Sequence, residues 1–174
     1  SLVADEFDIT SCQKMFMDHA MSVPFELAWP DVDAWPVKLA PIAINTVQHP
    51  LPSAKRCLAL GRAVGRAIES WKGDEKVVVM GTGGLSHQLD GQRAGFINAE
   101  YDRFCLDHLM DDPEALVRDS ITSIVEKAGT QGVEILNWIA ARGALGEHGL
   151  RKRTENYHIP ISNTAAASVV LETV

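Results

Sequence analysis

The chain has 174 residues, of which 46% are hydrophobic and 22% are charged, and its formal net charge is −7. This length and composition predict one soluble globular domain with a real core. The acidic balance argues against a general nucleic-acid binder, and no apolar run reaches the length of a membrane span.

The three cysteines, Cys12, Cys57 and Cys105, are far apart and form no Cys-x-x-Cys pair. This pattern indicates reduced thiols in a cytoplasmic protein, not a disulfide framework or a zinc knot. Cys57 and Cys105 fall within helical patterns and are predicted to be small core residues. The chain opens on Ser1 within a stretch that already has structured character, and we expect further residues to precede it.

The first half of the chain predicts two strands around a long helix. Residues 37–47 alternate well enough for a strand, in which Pro41 indicates an edge position or a bulge. Residues 77–80, Val-Val-Val-Met, predict a short buried strand that is ended by glycine. Between them, Ser53 predicts the N-cap of a helix over residues 54–71. Strand, helix and strand over this distance predict a crossover unit and therefore the α/β fold class.

The second half of the chain is mostly helical in pattern. Gly61 and Gly65, four apart in the preceding helix, favour close packing against a sheet. The basic run 151–153 predicts a charged loop, and the small apolar run 165–171 predicts a closing core strand. Apolar spacing predicts three helices, over residues 101–109, 112–129 and 133–142. A break in the second of these helices is expected near Asp119.

The clearest candidate for chemistry follows the predicted strand at residues 77–80. Gly81, Gly83 and Gly84 permit a backbone path closed to residues with side chains. That path brings His87 to the carboxyl end of the strand, where ligands bind in open α/β sheets. An imidazole there is a candidate general acid or base, because this side chain changes charge near neutral pH. A glycine turn with a hydrogen-bonded histidine explains the same residues equally well.

Two other residues are candidates with ordinary alternatives. His19 follows Asp18 in an apolar run, and the pattern by itself favours an inert histidine, hydrogen-bonded at the end of a strand, over a catalytic one. Glu134 stands alone in a helical segment that is otherwise apolar, where a carboxylate must be paired, hydrogen-bonded or bound to a metal. The alternative is a glutamate in the first helical turn that complements the positive end of the helix dipole.

Residues 81–89, Gly-Thr-Gly-Gly-Leu-Ser-His-Gln-Leu, are followed by Arg-Ala-Gly-Phe-Ile-Asn at residues 93–98. This segment resembles the catalytic-histidine segment of class III extradiol ring-cleaving dioxygenases, in particular protocatechuate 4,5-dioxygenase β subunits and gallate dioxygenases. Weaker matches keep their order along essentially the whole chain: Asp5-Glu6-Phe7-Asp8, Asp18-His19, Gly132-Val133-Glu134, Trp138, Arg142-Gly143-Ala144-Leu145, Tyr157-His158-Ile159-Pro160 and Ser162-Asn163-Thr164.

The resemblance implies the roles of individual residues. Glu134 would be the carboxylate ligand of a non-heme Fe(II). His87 would take a proton from a bound catechol, and His19 would be its partner acid. Ser162 and Asn163 would contact the substrate. The reaction implied is extradiol cleavage of a carboxylated catechol, such as protocatechuate or gallate, with insertion of O2.

The resemblance also implies an architecture. Residues 1–174 would form a single domain, the carboxyl-terminal part of the catalytic domain, with a central mixed sheet, helices on both faces and an incomplete amino terminus. In the family, both histidine ligands of the iron come from a segment that would precede Ser1. No other histidine here has a position that suggests a substitute, so weak or absent metal binding by this chain alone is expected. A dimer and a small helical subunit over the site are also implied as partners.

Three other functions are compatible with the same residues. His19, His87 and Glu134 could themselves be the ligands of a metal-dependent hydrolase or lyase. The chain could be a non-catalytic subunit that is retained for assembly with a partner. A phosphate-binding loop at residues 81–84 is the weakest, because no Lys-Ser/Thr follows the glycines.

Overall fold

The computed structural model describes residues 2–174, which combine helices with one small sheet. The helices are α1 (His19–Ala28), α2 (Ala54–Glu69), α3 (Ala99–Asp111), α4 (Ile121–Ala128) and α5 (Ile135–Gly143). Single 3-10 turns at Ala115–Val117 and Gly132–Glu134 precede α4 and α5, and the strands are β1 (Leu150–His158) and β2 (Ala166–Thr173). Within residues 2–174, no helix combines the length and apolar character needed to cross a membrane.

The contact between α2 and α5 is the centre of the fold. As predicted, Ser53 caps α2, because its side chain accepts a hydrogen bond from the Arg56 amide. Gly61 and Gly65 let the two helices approach closely: a Cβ on Gly61 would overlap the carbonyl oxygen of Ala140, and one on Gly65 would lie 2.5 Å from that of Ala144. The predicted close packing is therefore present, but its partner is a helix and not a sheet.

The core gathers around this helix pair. Its largest fully buried side chains include Leu58, Leu106 and Leu136. Cys57 and Cys105 are buried among them as predicted, and desolvation raises the pKa of the Cys57 thiol to about 11 and that of Cys105 to about 12. Both thiols are therefore protonated apolar packing groups at neutral pH.

Two of the three later helices follow the prediction, whereas the helix predicted over residues 112–129 is α-helical only at Ile121–Ala128, after a single 3-10 turn at Ala115–Val117. Asn98 caps α3 by accepting from the Tyr101 amide. The expected break near Asp119 is real, because Ser120 caps a new helix there through the Ser123 amide. Residues 133–142 are helical, but the first turn is 3-10 and the α-helix begins at Ile135.

The sheet is smaller than the predicted central mixed sheet with helices on both faces. The α/β class holds, yet the sheet in the described residues is an antiparallel pair, β1 with β2, whose register runs from Leu150 opposite Thr173 to His158 opposite Ala166. The predicted closing strand is present as β2, but it is not a core strand, because Ala167 and Val169 are only partly buried and no residue of β2 is fully buried. The predicted loop at residues 151–153 is wrong, because these basic residues lie in β1 with their side chains exposed.

Three predictions of strand structure in the first half are also wrong. Residues 37–47 and 77–80 lie outside the sheet, and Val78 is 72% exposed. His19 begins helix α1 and does not end a strand. The physical reason is that β-branched alternation describes which side chains prefer burial, whereas a strand also requires a neighbouring backbone. In the part of the chain that the structure describes, neither extended segment has one.

Candidate active site

The glycine-rich segment lies directly on α5. A Cβ on Gly81 would come within 2.8 Å of the Asn137 carbonyl oxygen and 3.0 Å of the Trp138 Cα. Gly83 has a φ of +123°, which side chains disfavour, and its carbonyl accepts a hydrogen bond from Trp138 Nε1 at 3.3 Å. The glycines are therefore needed for contact with α5 as well as for the turn.

Glu134 faces this segment from the start of α5. Its Oε2 accepts a hydrogen bond from the Gly84 amide at 2.7 Å, and the residue is half-buried. The side chain caps no amide of α5. Its place at the N-terminus of α5 agrees with the helix-dipole alternative, and its carboxylate is in addition hydrogen-bonded to the glycine segment.

His87 lies at the far end of the segment and is only 6% exposed. Its backbone is held on both sides: the His87 amide donates to the Ala128 carbonyl at 2.8 Å, and His87 forms an isolated antiparallel bridge with Thr164. Its ring Nδ1 is 2.9 Å from the Leu85 carbonyl oxygen. A carbonyl can only accept, so Nδ1 carries a proton, and in the neutral imidazole the lone pair is on Nε2.

Gly84 brings these two candidates together. Its amide holds the Glu134 carboxylate at 2.7 Å, and a Cβ on the same residue would lie 2.5 Å from Cε1 of the His87 ring. A carboxylate and an imidazole with an unprotonated nitrogen therefore flank one small residue. This combination suits metal binding beside proton transfer.

Ser162 and Asn163 are placed near His87 by their position in the sequence. They immediately precede Thr164, the bridge partner of His87, and the Ala165 amide donates to the Ser86 carbonyl at 3.1 Å. Ser162 is exposed and Asn163 is half-buried. Their position beside His87 is compatible with contact to a ligand there.

His19 is not brought to the same place. It begins α1, its ring is 84% exposed, and Nδ1 pairs with the neighbouring Asp18. Among residues 2–174, no hydrogen bond or ion pair joins His19 to His87 or to Glu134. A metal site with these three residues as its ligands is therefore not assembled in this structure.

The described residues also do not complete an iron site. No group of three histidine, cysteine, aspartate or glutamate side chains is placed to hold a metal within residues 2–174. Glu134 is one suitable oxygen ligand, because within residues 2–174 the hydrogen bond to its carboxylate is made by Oε2 and leaves Oε1 available. A two-histidine, one-carboxylate site would need two more ligands.

Asp102 is a buried acid near the site that was not predicted from the sequence. This carboxylate is 1% exposed and hydrogen-bonds to Ser86, the neighbour of His87. A signal was present: Asp102 is spaced three, four and seven residues from Cys105, Leu106 and Leu109, all buried on the same face of α3. An acid within an apolar stripe is the pattern that also singled out Glu134.

Comparison with known proteins relates the sequence of this chain to a family. The profile described as "Catalytic LigB subunit of aromatic ring-opening dioxygenase" matches residues 1–171. A gallate dioxygenase from Pseudomonas putida is 39% identical over 172 residues, which cover 99% of this chain and 50% of that protein. A 2,3-dihydroxyphenylpropionate/2,3-dihydroxicinnamic acid 1,2-dioxygenase from Paraburkholderia xenovorans is 27% identical over 206 residues, 92% of this chain and 64% of that protein. The chain thus spans about half the length of the first relative and less than two thirds of the second.

Proposed function

Because the chain belongs to the family of catalytic LigB subunits of aromatic ring-opening dioxygenases, we propose that it takes part in extradiol cleavage of a carboxylated catechol such as protocatechuate or gallate. The substrate class is proposed from gallate dioxygenase, the 39% identical relative. The observation that carries the proposal is the shared contact of Glu134 and His87 with Gly84.

His87 is the proposed base. With Nδ1 donating to the Leu85 carbonyl, Nε2 is the nitrogen free to accept a proton from a catechol hydroxyl. The residue is 6% exposed and its backbone is bonded to Ala128, so the imidazole is held in place before substrate arrives. A fixed base of this kind loses little entropy on reaction.

Glu134 is the proposed carboxylate ligand of Fe(II). When bound by this carboxylate and two histidines, iron would allow electrons to pass between a catecholate and O2. This chain contributes one such ligand among its described residues, and we propose that the two histidines come from residues outside these 174. The bond from the Gly84 amide orients the carboxylate, as hydrogen bonds to metal ligands commonly do.

The remaining assignments stay proposals of the same kind. His19 is proposed as the partner acid, from the start of α1. Ser162 and Asn163 are proposed substrate contacts beside the Thr164 bridge. We also propose a cytoplasmic protein, assembled as a dimer with a small helical subunit. A central mixed sheet with helices on both faces would be completed by strands from outside these 174 residues.

The test is anaerobic loading with Fe(II), followed by a ring-fission absorbance assay with protocatechuate and with gallate. It compares these 174 residues alone with the same residues joined to an amino-terminal segment that carries two ligand histidines. We expect ring fission only from the joined protein. There, His87→Ala should lower kcat by about 10²- to 10⁴-fold, the range for loss of a general base.

The matched control is His148→Ala, because that histidine is exposed and pairs on the surface with Glu69. Its turnover should stay within about twofold of the parent, as for most surface substitutions. Full turnover by the His87→Ala protein would overturn the base assignment. Full iron occupancy after Glu134→Ala would overturn the ligand assignment.

A further inference from the structure

Asp102 is a buried carboxylate whose hydrogen bonds converge on the residue before His87. Its Oδ1 accepts from the Ser86 amide at 2.7 Å, and its Oδ2 accepts from the Ser86 hydroxyl at 2.7 Å. The hydroxyl of Tyr157, on β1, also donates to Oδ2, at 2.8 Å. The acid is 1% exposed, and in residues 2–174 no lysine or arginine forms an ion pair with it. Three donors thus stabilise the charge without a cation.

The direction of each hydrogen bond is determined. The Ser86 hydroxyl oxygen accepts from the Asn98 amide at 2.8 Å, so its own proton is available for Asp102. The Tyr157 hydroxyl likewise has a carboxylate oxygen as its partner, and desolvation together with Asp102 raises the pKa of that phenol well above its usual range. Both hydroxyls are therefore donors, and Asp102 is the acceptor of the network.

The peptide group between Leu85 and Ser86 connects this network to His87. Its N–H donates to Asp102 Oδ1 at 2.7 Å, and its C=O accepts from His87 Nδ1 at 2.9 Å. A negative charge at the N–H end of a peptide makes the oxygen at the other end a stronger acceptor, because hydrogen bonds in a chain polarise one another. The peptide plane also cannot turn without breaking both bonds.

We propose that Asp102 is a positioning residue that fixes the tautomer of His87 through the Leu85–Ser86 peptide. The carboxylate holds the peptide so that its carbonyl requires a proton on Nδ1, and Nε2 is thereby kept as the proton acceptor. The role in turnover rests on the proposed function, whereas the tautomer is a property of the protein with or without activity. Asp102 need not touch substrate to act in this way.

The experiment measures the two ring nitrogens of His87 by nitrogen-15 NMR, with His87→Gln used to assign its signals among the six histidines. The parent should show the proton on Nδ1. In Asp102→Asn, an amide has one acceptor oxygen for three donors and no charge. The preference for the Nδ1–H tautomer should fall by about tenfold, since bonds to a charged acceptor are roughly twice as strong as neutral ones.

The matched control is Asp119→Asn. It makes the same chemical change at another carboxylate with three donor groups, here the side chains of Tyr101, Ser123 and Lys127. It should leave the His87 tautomer unchanged. In the protein joined to the amino-terminal segment that carries the two ligand histidines, Asp102→Asn should lower kcat by about 10- to 100-fold, with KM within about threefold. Asp119→Asn should change neither kcat nor KM.

Tyr157→Phe keeps the test decisive if Asp102→Asn does not fold. It removes one donor to Oδ2 but leaves the bond from the Ser86 amide to Oδ1. We expect the Nδ1–H tautomer to persist in this variant. Loss of that tautomer would show that the whole hydrogen-bond network, and not the Leu85–Ser86 peptide, determines the tautomer of His87. A parent protein with the proton on Nε2 would overturn the proposal outright.

The two proposals fail separately. If the tautomer changes in Asp102→Asn but no variant or parent cleaves a catechol, the proposed function is wrong and the role of Asp102 stands. If the parent cleaves catechols and Asp102→Asn keeps both its tautomer and its kcat, the role of Asp102 is wrong.

Discussion

Two regions of this chain differ in how far their apolar side chains are buried. Around α2 and α5, apolar residues are enclosed, and Leu136 is 0% exposed. In the amino-terminal region, α1 has no buried residue, Leu27 is 78% exposed and Phe16 is 100% exposed. The difference lies in whether an apolar face meets another element of the same chain.

The segment at residues 77–80 shows the same contrast at close range. It runs into the glycine segment that packs on α5, yet its own valines remain largely in contact with solvent. An open groove of about 290 Å³ beside it is lined by apolar side chains that include Ile68, Val79 and Leu145. The candidate site therefore depends on packing against the helical region. The exposed residues 77–80, which were predicted to be a strand, contribute little to that packing.

The largest expected effect is the loss of core packing at Leu136. Leu136→Ala should lower the free energy of unfolding by about 2–5 kcal/mol, because the site is fully enclosed and a cavity remains. Leu27→Ala, the same change in the exposed region, should lie within about 0.5 kcal/mol of the parent. Urea unfolding followed by circular dichroism measures both. Equal losses would abolish the distinction between the regions.

A smaller effect is expected where α2 touches α5. Gly61→Ala should destabilise by about 1–3 kcal/mol, because the new methyl group would overlap the Ala140 backbone. Helix propensity alone predicts the opposite sign, a gain of about 0.5–1 kcal/mol. Gly149→Ala is the control, since its methyl group would meet mainly the side chain of Val174, at 3.0 Å. Thermal unfolding of the three proteins shows which sign is right.

The smallest effect concerns Asp119 at the start of α4. Burial raises the pKa of this carboxyl, but hydrogen bonds from Lys127 and Ser123 outweigh burial and hold the pKa below its usual range. A lowered pKa in the folded state means that the stabilisation is present above the unfolded value of about 3.9 and is lost as pH falls through the folded value.

Asp119→Asn should therefore cost on the order of 1 kcal/mol at pH 7, given the partial exposure of the ion pair. The difference from the parent should shrink toward zero below about pH 4. Urea unfolding at several pH values measures it. A difference that grows on acidification would show that the carboxylate is not stabilised by these contacts.

Much of the helical region could be predicted because its signals are local. Ser53 and Ser120 cap helices through bonds within their own first turns, and the apolar stripe of α2 recurs at the helical period. The glycines at 61 and 65 signalled close approach but not its partner. The element that packs against a helical glycine depends on parts of the chain that are distant in sequence.

The candidate site divides in the same way. His87 and Glu134 were singled out because a glycine-flanked imidazole and an isolated acid in an apolar helix are unusual as local patterns. That both contact Gly84 could not be predicted from their separation along the chain, and Asp102 was missed although its spacing placed it on a buried face. His19 was named by resemblance, and the structure leaves it on the exposed start of α1.

The sequence by itself determined α2, α3 and α5 to within a few residues, and which side chains are unusual for their surroundings, since caps and periodicity act over short distances. Only the tertiary structure decided that α5 receives the glycine segment, that one peptide joins Asp102 to His87, and that residues 37–47 and 77–80 have no strand partner in the described chain. Each of these depends on contacts between residues far apart in sequence, for which no local pattern carries information.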